Sequence, residues 1–242
     1  MLVAIPSKSR PFKSRTKQLL KSGVLFVPAC EYDAYKEVYD EVVAVPDDVK
    51  GITATRNWIL RNANDRHVVF VDDDMKSCGR FGLKEGGKYG IKHYRMTEQE
   101  WLREFERLFE TTESLGYKIF GVNTESSKIS YRVSKPLVLK GYVLASCMGI
   151  VNDGSLYFDE EYRVKEDYEI SLRHIEKYGG ILRARWLWWE NTHWGDDGGC
   201  KDYRSDALER EMINKLINRY PKYIRSVQNK RSQYTIKLHF ND

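Results

Sequence analysis

The sequence predicts an α/β fold in which a mainly parallel central sheet is flanked by helices. Short apolar runs, Leu2–Ile5, Val24–Val27, Val42–Val45 and His67–Val71, have the length and β-branched content of buried strands. The first three are ended by Pro6, Pro28 and Pro46, and the fourth stops abruptly at Asp72. The segments between them have the length of helices, and strands alternating with helices imply parallel pairing through right-handed crossovers. A chain of 242 residues is long enough to bury a substantial core.

Element by element, Pro6-Ser7-Lys8-Ser9-Arg10-Pro11 breaks the first strand, and a basic segment reaching Leu20 reads as helical. Glu31–Tyr39 is a short helix and Ile52–Asn64 a longer one. Glycines crowd Gly79–Gly90, which reads as a mobile loop. Thr97-Glu98-Gln99-Glu100 is a capping box, in which the Thr hydroxyl and Glu carboxylate satisfy the free N–H groups of a helix start. The helix after it places Trp101, Leu102, Phe105, Leu108 and Phe109 on one face and stops near Gly116. Tyr117–Val122 and Val143–Val151 read as further strands, Asp167–Tyr178 as a helix ended by Gly179-Gly180, and Asp206–Tyr220 as an amphipathic helix. No linker or repeat divides the chain. Residues 1–200 read as one domain, with 201–242 forming a C-terminal helix and basic tail packed on it or extending from it.

Composition narrows the class. Hydrophobic residues make up 41%, which excludes disorder, and the longest nearly apolar stretch, Tyr142–Val151, is half of what a membrane span needs. Charges begin at Lys8 with no long apolar stretch before them, so a soluble, cytoplasmic protein without a membrane partner is expected. Cys30, Cys78, Cys147 and Cys200 have no CxxC spacing and read as reduced thiols. The net charge of +5 hides an asymmetry. Six Lys/Arg in Met1–Lys21 and seven in Lys215–Phe240 stand without an acid, leaving 27 basic against 34 acidic residues between them. Basic ends suit a polyanion and an acidic body suits a cation, although solvated surface charge accounts for either end alone.

The sharpest chemical signal is Val68-Val69-Phe70-Val71 running into Asp72-Asp73-Asp74. In an open parallel sheet the ligand crevice lies outside the carboxyl ends of the strands, where this triplet falls. Adjacent carboxylates repel unless a cation or solvent compensates, and their hard oxygens suit Mg²⁺ or Mn²⁺; a solvated acidic turn is the plainer reading. No GxxxxGK[ST] is present, which excludes a P-loop kinase. Glu166-Asp167 opens a helix and is either a cap or the source of a general base. Trp186–Trp194 concentrates aromatic residues that serve core packing or sugar stacking, and His193 lies in the polar turn at its end, before a Gly-rich loop.

Taken together, Ile5-Pro6-Ser7-Lys8-Ser9-Arg10, Gly51-Ile52 through Arg56-Asn57, and Val71-Asp72-Asp73-Asp74 resemble, in order and spacing, a nucleotide-sugar glycosyltransferase of the GT-A fold. The chain is similar to the phage TET-associated glycosyltransferases over about Leu2 to Cys200. The resemblance implies a Rossmann-type sandwich and a divalent metal on the donor diphosphate, held by Asp72 and Asp74 with Asp73 between and completed by His193. It implies donor contacts from Pro6, Ser7, Lys8, Arg10, Arg56, Asn57 and Asp33 (or Tyr32), and a base from Glu166-Asp167, Asp167 foremost, as in inverting enzymes. It also implies a donor that is UDP-linked and an acceptor that is a hydroxymethylated pyrimidine, 5-hydroxymethylcytosine, in double-stranded DNA. The basic tail, with Lys222, Arg225, Lys230 and Arg231 interleaved with tyrosines, is then the expected DNA contact. Two rivals remain: the same donor site serving a saccharide or protein acceptor, and a non-enzymatic nucleic-acid-binding module whose acidic triplet is structural. Oligomeric state has no signal in the sequence.

Overall fold

In the computed structural model, which describes residues 1–83, 90–128, 131–191, 205–228 and 234–240 (225–228 and 234–235 by backbone alone), the early apolar runs become adjacent parallel strands. In chain order the elements are β1 (Leu2–Pro6), α1 (Arg15–Leu19), β2 (Val24–Pro28), α2 (Tyr32–Lys36), β3 (Val42–Val45), α3 (Ile52–Asn62), β4 (His67–Val71), β5 (Met75–Leu83) and β6 (Ile91–Arg95). There follow α4 (Glu98–Ser114), β7 (Ile119–Asn123), β8 (Leu137–Val138), β9 (Cys147–Val151), α5 (Glu166–Tyr178), β10 (Leu182–Asn191), α6 (Asp206–Arg219), β11 (Ile224–Gln228) and β12 (Tyr234–Leu238). A 10-stranded sheet has the order β3-β2-β1-β4-β9-β7-β10-β5-β6, with β8 paired to β10. Most of its strands point one way; β9, β5 and β8 run against them. Because β1 is flanked by β2 on one side and β4 on the other, the chain reverses its winding there, which opens a crevice beyond the carboxyl ends of β1 and β4.

Alternation along β4 splits the core across the two faces of the sheet. Val69 and Val71 join Trp101, Phe105 and Phe109 of α4 and Trp189 of β10 on one face. Val68 and Phe70 join Ile59 and Leu60 of α3 and Ile170 and Ile175 of α5 on the other. Trp188 and Trp189 are therefore core residues, while Trp186 is half-buried. The capping box forms: Thr97 Oγ1 accepts from Glu100 N–H at 3.3 Å, and the Glu100 carboxylate accepts from Thr97 N–H at 2.8 Å.

Two segments depart from the sequence reading. Gly79–Leu83 and Gly90 do not form one loop; the glycines through Leu83 belong to β5, paired antiparallel with β6. A Cβ on Gly79 would stand 2.2 Å from the Tyr94 carbonyl oxygen and 2.8 Å from the Trp188 ring, so close approach, and not chain mobility, explains the residue type there. The strand expected from Val143 begins only at Cys147, since the backbone of 143–146 is used elsewhere. Ser171 Oγ accepts from Val143 N–H, the Ala145 carbonyl accepts from Arg56, and the Ser146 carbonyl accepts from Asp72 N–H.

His174 on α5 is buried; its Nε2 accepts from Lys118 N–H at 2.9 Å, so its Nδ1 carries the proton donated to the Gly180 carbonyl at 2.7 Å. Burial lowers its pKa from 6.5 to about 4. The unfolded chain binds a proton that the folded imidazole refuses, so stability falls as pH drops from 6.5 towards about 4, by about 3 kcal/mol in all. Thermal melts of wild type and His174→Gln across this range should show the wild-type Tm falling more steeply with acid.

Candidate active site

The crevice beyond β1 and β4 gathers the polar residues of three separate segments. After β1, Ser9 adopts φ 61°, a left-handed turn held where Ser9 N–H donates to the Glu31 carboxylate at 2.6 Å. The turn aims Ser7 and Arg10 at the acidic triplet. Ser7 Oγ donates to Asp73, which also accepts from Arg10 at 2.7 Å. Since the Ser7 proton is committed, the Tyr35 phenol donates to Ser7 Oγ at 2.8 Å and accepts from Arg10 N–H at 2.9 Å. Burial pushes the Tyr35 phenol up to about 12, so it keeps that proton. Thr16, at the start of α1, grips the triplet's backbone: it donates through Oγ1 to the Asp72 carbonyl and through N–H to the Asp73 carbonyl.

The three carboxylates diverge. Asp73 is buried against Ser7 and Arg10, and Asp74 stands 3.9 Å from Arg10 with its side chain 21% exposed. Asp72 turns to the other wall, where it accepts from Asn191 Nδ2 at 2.9 Å and from Arg56 at 3.4 Å. Its side chain is still 36% exposed, a carboxylate at the mouth of a crevice walled by protein. Desolvation pushes it up to about 7 against the pull of Arg56, with Asp74, Asp73 and Glu166 repelling its charge. Ionising this group is therefore costly without an added cation.

Arg56 joins the triplet to the second acidic pair. Its guanidinium donates to Glu166 at 2.7 Å and to Asp72 at 3.4 Å, and lies 5.6 Å from the Phe158 ring centre. Lys165 precedes this pair at φ 64°, and its ammonium pairs with Glu209 of α6 at 2.9 Å. The sharp turn sets Glu166 inward on Arg56 and leaves Asp167 half-buried, with Oδ1 accepting from Tyr168 N–H at 2.9 Å. Desolvation first, then repulsion by Glu166, raises the Asp167 pKa well above the carboxylate range, and Lys165 and Arg56 only partly offset it. A carboxyl held half-protonated near neutrality can accept a proton.

The structure thus brings together two hydrogen-bonded and ion-paired groups that meet along the triplet, Ser7, Arg10, Asp73 and Asp74 in one and Asp72, Arg56 and Glu166 in the other, with Asp167 beside the second. Pro6 is buried at the end of β1, and Lys8 is exposed on the turn. Arg56 and Asn57 are both buried and direct these hydrogen bonds to the protein; Asn57 ties α3 to the Phe158 backbone at 2.8 and 2.9 Å and to Glu160 at 2.8 Å. Asp33 is exposed on α2, and the members of that segment that meet the turn are Glu31 and Tyr35. His193 lies outside the described residues. Lys222 is exposed and pairs with Glu176 at 3.2 Å; the Arg225 side chain, Lys230 and Arg231 lie outside the described residues. Tyr35, Thr16 and Asn191 are site residues that sequence reasoning missed. Asn191 had a signal, as the first amide after the Trp-rich run; Tyr35 and Thr16 had none, because only packing brings them to the triplet.

Arg56→Met is expected to destabilise the fold by about 3–5 kcal/mol, because it leaves Glu166 buried without its cation. Chemical denaturation should show the shift in midpoint.

The profile of the family described as TET-Associated Glycosyltransferase matches residues 1–194. No curated protein sequence matches significantly. Among solved structures, glucosyl-3-phosphoglycerate synthase from Mycobacterium tuberculosis, in complex with Mn²⁺ and uridine-diphosphate-glucose, is 12% identical; the match covers 98% of this chain and 85% of that one with a TM-score of 0.54. Mannosyl-3-phosphoglycerate synthase from Rubrobacter xylanophilus is 10% identical over 99% and 86%, TM-score 0.52. S. aureus TarS 1-349 in complex with UDP-GlcNAc is 13% identical over 90% and 67%, TM-score 0.51. The chain spans 66% of another TarS 1-349 structure and 40% of a longer TarS structure. At these identities the likeness is one of fold, that of the GT-A glycosyltransferases. No helix among the described residues is long and apolar enough to cross a membrane.

Proposed function

Because the chain belongs to the TET-associated glycosyltransferase family, we propose that it transfers a sugar from a UDP-linked donor to the hydroxymethyl group of 5-hydroxymethylcytosine in double-stranded phage DNA. The observation that carries this reading is the Arg56 guanidinium at the crevice, which donates to Asp72 on one side and to Glu166, the neighbour of Asp167, on the other. Donor-side and acceptor-side carboxylates then flank one guanidinium in a single cleft. The complexes of the fold relatives with UDP-glucose and UDP-GlcNAc support the donor class.

The residues fit a hard cation. Asp72 and Asp74 offer carboxylate oxygens, and Asn191 Oδ1 is buried beside Asp72 without a hydrogen-bond partner among the described residues. Among the described residues no three His, Cys, Asp or Glu gather as a complete ligand set, so His193 and diphosphate oxygens would complete it. A bound Mn²⁺ or Mg²⁺ would offset the negative charge that builds on the departing nucleoside diphosphate. Asp73 holds Ser7 and Arg10 in place, so that the turn after β1, with exposed Lys8, faces the donor phosphates. Asp167 takes the proton of the acceptor hydroxyl as it attacks the anomeric carbon, which inverts that centre in one displacement. Glu166, neutralised by Arg56, positions Asp167.

The test incubates the protein with Mn²⁺, candidate nucleotide sugars and duplex DNA with or without 5-hydroxymethylcytosine, followed by digestion and mass analysis. A hexose or pentose increment on the modified base is expected. Its absence under every donor would overturn the acceptor assignment, and donor hydrolysis stimulated by a glycan would favour a saccharide acceptor.

A further inference from the structure

In the C-terminal helix and the turn after it, Lys215, Arg219 and Lys222 are spent on the protein's own acids. Arg219 pairs with Asp159 at 2.7 Å, Lys222 with Glu176 at 3.2 Å and Lys215 with Glu161. Cations without a carboxylate partner lie instead between β7 and β9. In residues 124–142 Glu125 is the single acid, against Lys128, Arg132, Lys135 and Lys140. Arg132, Lys135 and Lys140 are exposed, and none of them, nor Arg183 of β10, makes an ion pair among the described residues.

From Arg132 onward the backbone of this segment is hydrogen-bonded, beginning where the Arg132 carbonyl accepts from Lys135 N–H at 2.9 Å. Its short strand β8 pairs with β10 at Val138↔Arg183 and Leu137↔Ala184. The Pro136 carbonyl accepts from Arg185 N–H and the Leu139 carbonyl from Ile181 N–H, each at 2.8 Å. Arg183 donates to the Tyr142 carbonyl at 3.0 Å, and its guanidinium lies 5.3 Å from the Tyr142 ring centre. The Tyr142 ring in turn packs 4.6 Å from that of Tyr168, the neighbour of Asp167. A basic and aromatic shelf therefore runs from Arg132 to the acceptor side of the cleft. Val133, Leu137 and Leu139 stand exposed among its cations, at 48%, 37% and 39%. Burial, and then the neighbouring charges of Arg183 and Arg132, weaken the proton affinity of Arg185.

We infer that this shelf, and not the C-terminal helix, seats the phosphate backbone of the acceptor nucleic acid. Spaced cations match spaced phosphates, and the apolar side chains between them suit sugar and base faces better than the carboxylates of an acidic peptide. The inference rests on the reading of DNA as the acceptor, and deepens it by assigning the interface.

The test measures binding of a fluorescent 5-hydroxymethylcytosine duplex by anisotropy across a salt series, using the full chain. The triple variant R132A/K135A/K140A, all exposed positions, should weaken binding at least roughly 10-fold and reduce the salt slope by about 2–3. Its melting temperature and its affinity for UDP-sugar should stay unchanged. The pair K215A/K222A should leave the duplex Kd within about twofold. An unchanged Kd in the triple variant, with loss in K215A/K222A, would overturn the shelf while leaving the acceptor reading intact. Competition by polyglutamate as strong as by unlabelled duplex would overturn it as a nucleic-acid surface. Sugar transfer to DNA by wild type with no loss in the triple variant at low substrate would also overturn it; no transfer to any DNA would remove the acceptor reading itself.

Discussion

Asp167→Asn is expected to lower sugar transfer to hydroxymethylated duplex by roughly 10²–10⁴-fold while leaving donor binding intact. The amide keeps the side chain's shape and its bond to Tyr168 N–H but cannot accept a proton. The pH profile distinguishes a base from a structural carboxylate. Desolvation and Glu166 raise the Asp167 pKa, so the fraction of ionised base grows with pH through the neutral range, and wild-type kcat should rise with it. The variant's residual rate should lose that rise. Stability should move the opposite way. A carboxyl with a raised folded pKa is bound to its proton more tightly when folded, so its ionisation costs stability above the unfolded pKa. Asp167→Asn should therefore melt higher than wild type at pH 8, by roughly 2–4 °C for each kcal/mol relieved, with no gain at pH 4. A variant that loses activity without this stability signature would place Asp167 outside the base role.

Asp72→Asn and Asp74→Asn should each reduce transfer by roughly 10³-fold, the equivalent of about 4 kcal/mol of lost charge stabilisation at the leaving diphosphate. Titration calorimetry should show weaker UDP binding in the presence of Mn²⁺ for both variants, and little difference from wild type in its absence. Asp73→Asn should behave differently, because Asp73 is buried against Ser7 and Arg10 and faces the turn after β1. Its effect should appear in donor KM and in melting temperature. Equal behaviour of all three variants would contradict the division of labour that the diverging side chains imply.

Much of the fold was legible because its signals are local. β-Branched runs stopped by Pro6, Pro28, Pro46 and Asp72 mark strand ends whatever they pack against, and Thr97 and Glu100 cap a helix through their own side chains. The reading of Gly79–Gly90 failed because glycine serves two purposes, turn flexibility and close approach, and only the position of Tyr94 and Trp188 tells them apart. The reading of Val143–Val151 as one strand failed because Arg56 and Asp72, distant in sequence, take the backbone carbonyls of Ala145 and Ser146.

By itself the sequence determined the family, the early parallel strands, and the placing of an acidic triplet and a Glu-Asp pair at the ends of elements. Each of these follows from short-range pattern, which burial and turn chemistry impose residue by residue. Only the tertiary structure decided how the carboxylates are used: Asp73 inward on Arg10, Asp72 and Glu166 on one guanidinium, Asp167 beside them. It also decided that Arg219, Lys215 and Lys222 of the basic C-terminus are neutralised by Asp159, Glu161 and Glu176, because ion pairing depends on distance in space, and net charge along a chain carries no information about which charges meet.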